Sequence, residues 1–107
     1  EHWHQADWVN WSLAIDYFLE AASQGYWAAL NNLGVIYRDG LGVRPDAEAA
    51  FKYFDSAAQS MQVTPLRHLA TSFRSGLGVA ANAAHADYLD ELANVVESEN
   101  GTKHIMR

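Results

Sequence analysis

The residues best suited to chemistry in this sequence are few and poorly placed for it. His2 and His4 could hold a metal ion between them on an extended terminus, since imidazole nitrogens are common zinc and copper ligands. His68, His85 and His104 are scattered, with no His-Glu-x-x-His and no carboxylate at ligand spacing, and the chain has no cysteine. Asp87, Asp90 and Glu91 crowd one stretch and would suit paired-carboxylate acid/base work, yet a solvated helix face carries such charges for no catalytic reason. Ser56, Ser72 and Ser75 lack the context of an exposed nucleophile. Gly40-Leu41-Gly42-Val43 has the look of a phosphate cradle, but such a loop follows a strand and opens a helix at once, whereas this one follows a helical pattern and recurs. The sequence therefore predicts no catalytic residues, no metal and no cofactor.

The elements that would position any site must come from one small domain. The chain has 107 residues, 50% of them hydrophobic and 12% aromatic, enough for a core without disulfides. Seven basic against thirteen acidic side chains give a net charge of −6, which opposes a binder of nucleic-acid backbones, because phosphate counterions are replaced by clustered Lys and Arg. No apolar stretch reaches the roughly 20 residues needed to span a bilayer, so no membrane insertion is expected. The absence of cysteine suits cytosol and periplasm equally. The opening at Glu1 in place of Met points to something removed upstream, a signal peptide or a cloning choice.

An internal repeat organises the rest. Leu33-Gly34-Val35-Ile36-Tyr37-Arg38-Asp39-Gly40-Leu41-Gly42-Val43 returns, 36 positions on, as Leu69-Ala70-Thr71-Ser72-Phe73-Arg74-Ser75-Gly76-Leu77-Gly78-Val79. The register extends backwards, matching Ala14, Tyr17, Phe18, Ala21 and Ala22 with Ala50, Tyr53, Phe54, Ala57 and Ala58. Each unit reads as two helices joined by a glycine turn, with Gly40 ending the first and a polar cap opening the second. Asn10, Asp46 and Asn82 are the predicted caps, and Thr64 with Pro65 the start of another helix. The predicted helices are 7–24, 27–39, 46–60, 64–75 and 82–98. The fold expected is an all-α, right-handed α/α solenoid of about two and a half repeats: a half repeat over 10–24, a full one over 25–60, a C-terminal one over 61–96, and a polar tail over 99–107.

Leu33, Gly34, Tyr37, Gly40, Gly42, Val43 and Asp46, with Ala29 upstream and Gly76, Gly78 and Val79 one unit later, strongly resemble the Sel1-like repeat motif. The second-helix residues Ala50, Tyr53, Phe54, Ala57 and Ala58 fit the same pattern. The resemblance implies a tetratricopeptide-related solenoid acting as a non-enzymatic interaction scaffold or regulator, in a bacterial setting, with another protein as partner. The second full unit departs from it: Ala70 stands for Gly34, Met61 for Gly25, and Asp87, Asp90 and Asn94 for Phe51, Phe54 and Ala58. Polar residues there fit a terminal repeat with no neighbour to cover it.

A solenoid of this kind presents the first helix of each repeat on its concave side. If Leu30, Leu33 and Tyr37 point into the packed layer, Ala28, Asn31, Val35 and Arg38 lie opposite, and Thr64, Arg67, Thr71 and Arg74 follow one repeat later. The candidate partner-binding residues are therefore Asn31, Val35, Arg38, Arg67, Thr71 and Arg74. Guanidinium forks bind carboxylates bidentately, which selects an acidic segment or chain terminus as the partner. The first half repeat lacks its first helix, and Trp3, Trp8 and Trp11 crowd the start of the chain: either an upstream repeat has been cut away, or these indoles fold back as a cap or meet a partner. The alternative function is an immunity-type inhibitor that blocks a folded toxin or enzyme over a larger, aromatic-anchored area.

Overall fold

Two glycine-ended helices and two side-chain caps fix the register of the molecule. The computed structural model describes residues 5–105, with side chains from 10 to 101, as α1 (Gln5–Ser23), α2 (Trp27–Asp39), α3 (Ala47–Ala58), α4 (Val63–Ser75) and α5 (Ala83–Ile105). α2 stops where Gly40 turns left-handed at φ 71°, and its N–H and that of Leu41 both return to the Ile36 carbonyl. α4 repeats this at Gly76 with φ 70°, where the Gly76 and Leu77 N–H groups return to Ser72. This paired closure satisfies carbonyls that a helix end leaves free. The loops then close in the same way: the Asp46 N–H donates to the Tyr37 carbonyl at 2.8 Å, and that of Asn82 to Phe73 at 2.7 Å. The side chains of Asp46 and Asn82 accept the N–H groups of Ala49 and His85, each at 3.0 Å. The expected caps are present at these two positions.

Three sequence expectations are corrected at the ends of elements. Asn10 lies inside α1, which begins at Gln5, so it caps nothing. α4 begins one residue earlier than Thr64, after Gln62, and Pro65 sits within the first turn, where its missing N–H leaves no bond unmade. The segment 99–107 is not a tail from its start, because α5 continues to Ile105. Gly101 adopts no left-handed conformation and stands in open space, so nothing stops the helix there.

The helices stack in sequence, α1 on α2, α2 on α3, α3 on α4 and α4 on α5, in a body of 49 × 36 × 27 Å. Among the described residues there is no strand. This is the layered all-α solenoid expected. Its core divides accordingly. One cluster joins Ile15, Leu33 and Ile36, with Trp11, Phe18 and Ala22 packed against it. The other joins Ala50, Phe54, Ala58, Leu66, Leu69, Ala70, Ala86, Leu89 and Ala93. Small residues allow the approach: a Cβ on Gly34 would overlap the buried Phe54 ring. One repeat later the corresponding residues are Ala70 and Asp90, so the methyl group appears where the opposing ring has gone.

Candidate functional site

The end of α2 and the first part of α4 leave between them a groove of about 420 Å³ lined by Arg38, Val63, Thr64, Arg67, His68 and Thr71. Arg38 comes from the last turn of α2, and the rest project from the first three turns of α4. Thr64, His68 and Thr71 fall at i, i+4 and i+7, the spacing that places side chains on one helix face. Four residues of the predicted partner-facing row, Arg38, Thr64, Arg67 and Thr71, are thereby brought together.

The other members of that row lie elsewhere. Asn31 is buried, at 8% exposure, and its Oδ1 has no hydrogen-bond partner among the described residues. The expectation that it faces solvent is corrected, because α2 is packed on both sides, by α1 and α3, and its buried arc is wider than one stripe. Val35 is half-buried and lines a second, apolar pocket of about 240 Å³ with Trp11, Phe18, Asn32, Ile36 and Leu41. Arg74 turns toward α5, where it donates to Asp87 at 2.6 Å and Asp90 at 2.9 Å. Trp3 and the Trp8 side chain lie outside the described residues, as do His2 and His4. Among the described residues no group of three or more His, Asp or Glu side chains gathers as a metal site, and no helix is long and apolar enough to cross a membrane.

His68 is the groove residue that sequence reasoning missed. Its ring lies flat on Phe54, with centroids 4.7 Å apart and planes at 5°. Its Nδ1 lies 3.1 Å from Arg38 Nη1. A guanidinium only donates, so Nδ1 accepts and the ring is neutral with its proton on Nε2. Arg38 also stands 5.9 Å over the Phe54 ring and forks onto the Asp39 carboxylate, Nε to Oδ1 at 2.9 Å and Nη2 to Oδ2 at 3.2 Å. The hydrogen bond from Arg38 holds the Asp39 carboxyl below its usual pKa. Burial, and then the neighbouring Arg38 charge, push the His68 pKa down.

A pH dependence follows from that direction. Because the folded protein disfavours the imidazolium, His68 contributes its full stability above the ordinary histidine range near 6.5, and part of it is lost as pH falls through the lowered value. Protonation also places a second cation against Arg38 and removes its acceptor. Thermal melts should show Tm falling by a few degrees between pH 7.5 and 5, and the His68→Gln variant should show a smaller fall over the same range.

Arg67 donates from Nη2 to Asn94 Oδ1 and Glu97 Oε1, each at 3.0 Å, and its Nη1 lies 3.8 Å from Asp90. These pairs explain the polar residues of α5. Phe51 and Phe54 of α3 meet Phe73 and His68 of the next repeat. Their equivalents Asp87 and Asp90 have no further repeat to meet among the described residues, and arginines of α4 reach across to them.

The Sel1 repeat family model matches residues 12–26 and 27–60. A crystal structure of a Sel1 repeat protein from Oxalobacter formigenes is similar, with a TM-score of 0.64 and 25% identity, over 84% of this chain and 40% of that one. The chain spans less than half the length of that protein. No curated protein matches it.

Proposed function

We propose that the chain, which matches the Sel1 repeat over residues 12–60 and resembles a Sel1 repeat protein in fold, is a non-enzymatic protein-binding module whose α2–α4 groove holds an extended acidic segment or chain terminus of a partner. The observation that carries this reading is the convergence of Arg38 and Arg67 with Thr64 and Thr71 along one groove of a chain with net charge −6. Both guanidinium groups are already partnered, but by exposed carboxylates: Asp39 is 44% and Glu97 66% exposed. Exposed pairs are worth about 0–1 kcal/mol, so an incoming carboxylate exchanges for them at little cost. The threonine hydroxyls flank the arginines and suit a peptide backbone.

The test is an array of extended acidic decapeptides read by fluorescence anisotropy at low and moderate salt. Acidic members should bind, and Arg38→Gln with Arg67→Gln should weaken them at least tenfold, while Arg44→Gln, at an exposed arginine outside the groove, leaves affinity unchanged. Equal losses from Arg44→Gln would reduce the interaction to general charge attraction. Capture of a folded partner, with every decapeptide silent, would favour the inhibitor reading.

A further inference from the structure

The second helix of each repeat has one row that its neighbours in the stack leave open. In α3 it runs through Lys52 and Ser56 to Gln59 at the cap, and all three are exposed although α2 packs on one side of α3 and α4 on the other. In α1 the 36-residue register places Asp16, Glu20 and Ser23 there, also exposed. In α5 the same row is Tyr88, Leu92 and Val95, three largely apolar side chains where the other repeats carry charged or polar ones. Tyr88 is 60% and Val95 47% exposed, and Leu92 between them is half-buried. Because α5 is longer than α3, it carries the row one turn further, to the exposed Glu99. Tyr88, Leu92, Val95 and Glu99 fall at i, i+4, i+7 and i+11, on one helix face. The His85 ring stacks against Tyr88, with centroids 5.8 Å apart, and steadies the phenol.

We propose that this row is a self-association surface, and that its occupant is the same row of a second copy of the chain, lying antiparallel across a two-fold axis. The row is complementary to its own reverse. With the two helices packed knob into hole, Leu92 of each copy meets Val95 of the other, and the Tyr88 O–H of each donates to the Glu99 carboxylate of the other. A parallel pair would set Glu99 against Glu99 and leave both phenols without that acceptor, so charge selects the antiparallel orientation. The flanking Glu91 then lies beside Ser98 of the other copy and not beside a carboxylate. Asp87, Asp90 and Asn94, which Arg67 and Arg74 hold, and the buried Ala86, Leu89 and Ala93 lie on the other faces of α5, so the bodies of the two copies point outward. The seam covers only about 16 Å of helix. It buries less than the roughly 1,200 Å² of a stable interface, so the dimer is weak, with a Kd on the order of 0.1 mM.

Sedimentation equilibrium of the whole chain, from about 10 μM to about 2 mM, is the test, and a dimer should form as concentration rises. Tyr88→Lys and Val95→Gln, which place the residues of α3 at these exposed positions, should each weaken it at least tenfold with the circular dichroism spectrum unchanged. Tyr26→Ala, at a tyrosine 61% exposed elsewhere on the surface, should leave it unaltered. Because the chain has no cysteine, introduced thiols report the pairing. With added oxidant, Tyr88→Cys and Glu99→Cys chains should give no disulfide-linked dimer separately and a linked heterodimer when mixed. A chain that stays monomeric to about 2 mM, or a dimer that survives both Tyr88→Lys and Val95→Gln, would overturn the proposal. Linked dimers from either cysteine variant alone would overturn the antiparallel arrangement.

Discussion

Replacing Phe54 by alanine should lower stability by about 3–5 kcal/mol, the usual cost of deleting a buried aromatic ring. For a domain of this size that is a fall in Tm on the order of 20 °C, and a large share of the roughly 5–15 kcal/mol that holds small proteins folded. Phe54 is 1% exposed and touches the helices on both sides of α3: Gly34 of α2 closes on its ring, and His68 of α4 stacks on it. The cavity cannot collapse easily, because Gly34 has no side chain to move into it. Phe18 holds the equivalent position one repeat earlier but is only half-buried, so Phe18→Ala should cost about half as much. Urea denaturation of the two variants measures this ordering, and equal losses would mean that the two repeats are packed alike. Phe54→Ala should also loosen the groove, since His68 loses the surface that orients it toward Arg38.

The second large effect is expected at Gly78. Its φ is +78°, and a Cβ there would run into the Ala47 carbonyl and the Glu48 Cα, which are backbone atoms and cannot rotate away. Gly78→Ala should therefore cost about 1–2 kcal/mol for the left-handed conformation and a similar amount for displacing the start of α3, near 3 kcal/mol together. Gly76 separates the two contributions. Its φ is +70°, but a Cβ would meet only ordinary contacts at 3.4 Å or more. Gly76→Ala should thus show the conformational penalty alone, about 1 kcal/mol, in the same melts. The two glycines of Gly-x-Gly-Val have different tasks: the first ends a helix, and the second lets the loop lie against the second helix of the preceding repeat. Gly42 does the same against Trp11.

The helix boundaries that could be read from the sequence are those marked by local chemistry. Gly40 and Gly76, through their N–H groups, and Asp46 and Asn82, through their capping side chains, act on atoms within four residues of themselves, so their spacing alone located the end of α2 and the starts of α3 and α5. The start of α1 and the end of α5 carry no such mark. The groove was legible in part. Arg38, Thr64, Arg67 and Thr71 follow from helical spacing and the repeat, whereas the burial of Asn31 depends on both neighbours of α2. The attachment of Arg74 to Asp87 and Asp90 was signalled by the loss of Phe51 and Phe54 in the last repeat, but its partner lies across an interface that periodicity does not describe. His68 could have been found by the same comparison. It falls under Phe54 and one turn from Thr64, a place where its ring has a surface to stack on.

The ion-paired face of α5 also governs how a protein of this architecture can change in length. A repeat added after α5 would bring an apolar helix onto Asp87 and Asp90 and strip water from charges that arginines of α4 now share with solvent. Uncompensated, buried charges of that kind cost several kcal/mol, so C-terminal growth requires both aspartates to revert to residues like Phe51 and Phe54 in the same step. Ala70 would then have to become glycine to admit the new ring, as Gly34 does for Phe54. An apolar helix is thus kept off this face by three coupled residues, Asp87, Asp90 and Ala70, so the composition of α5 alone sets it apart from α3.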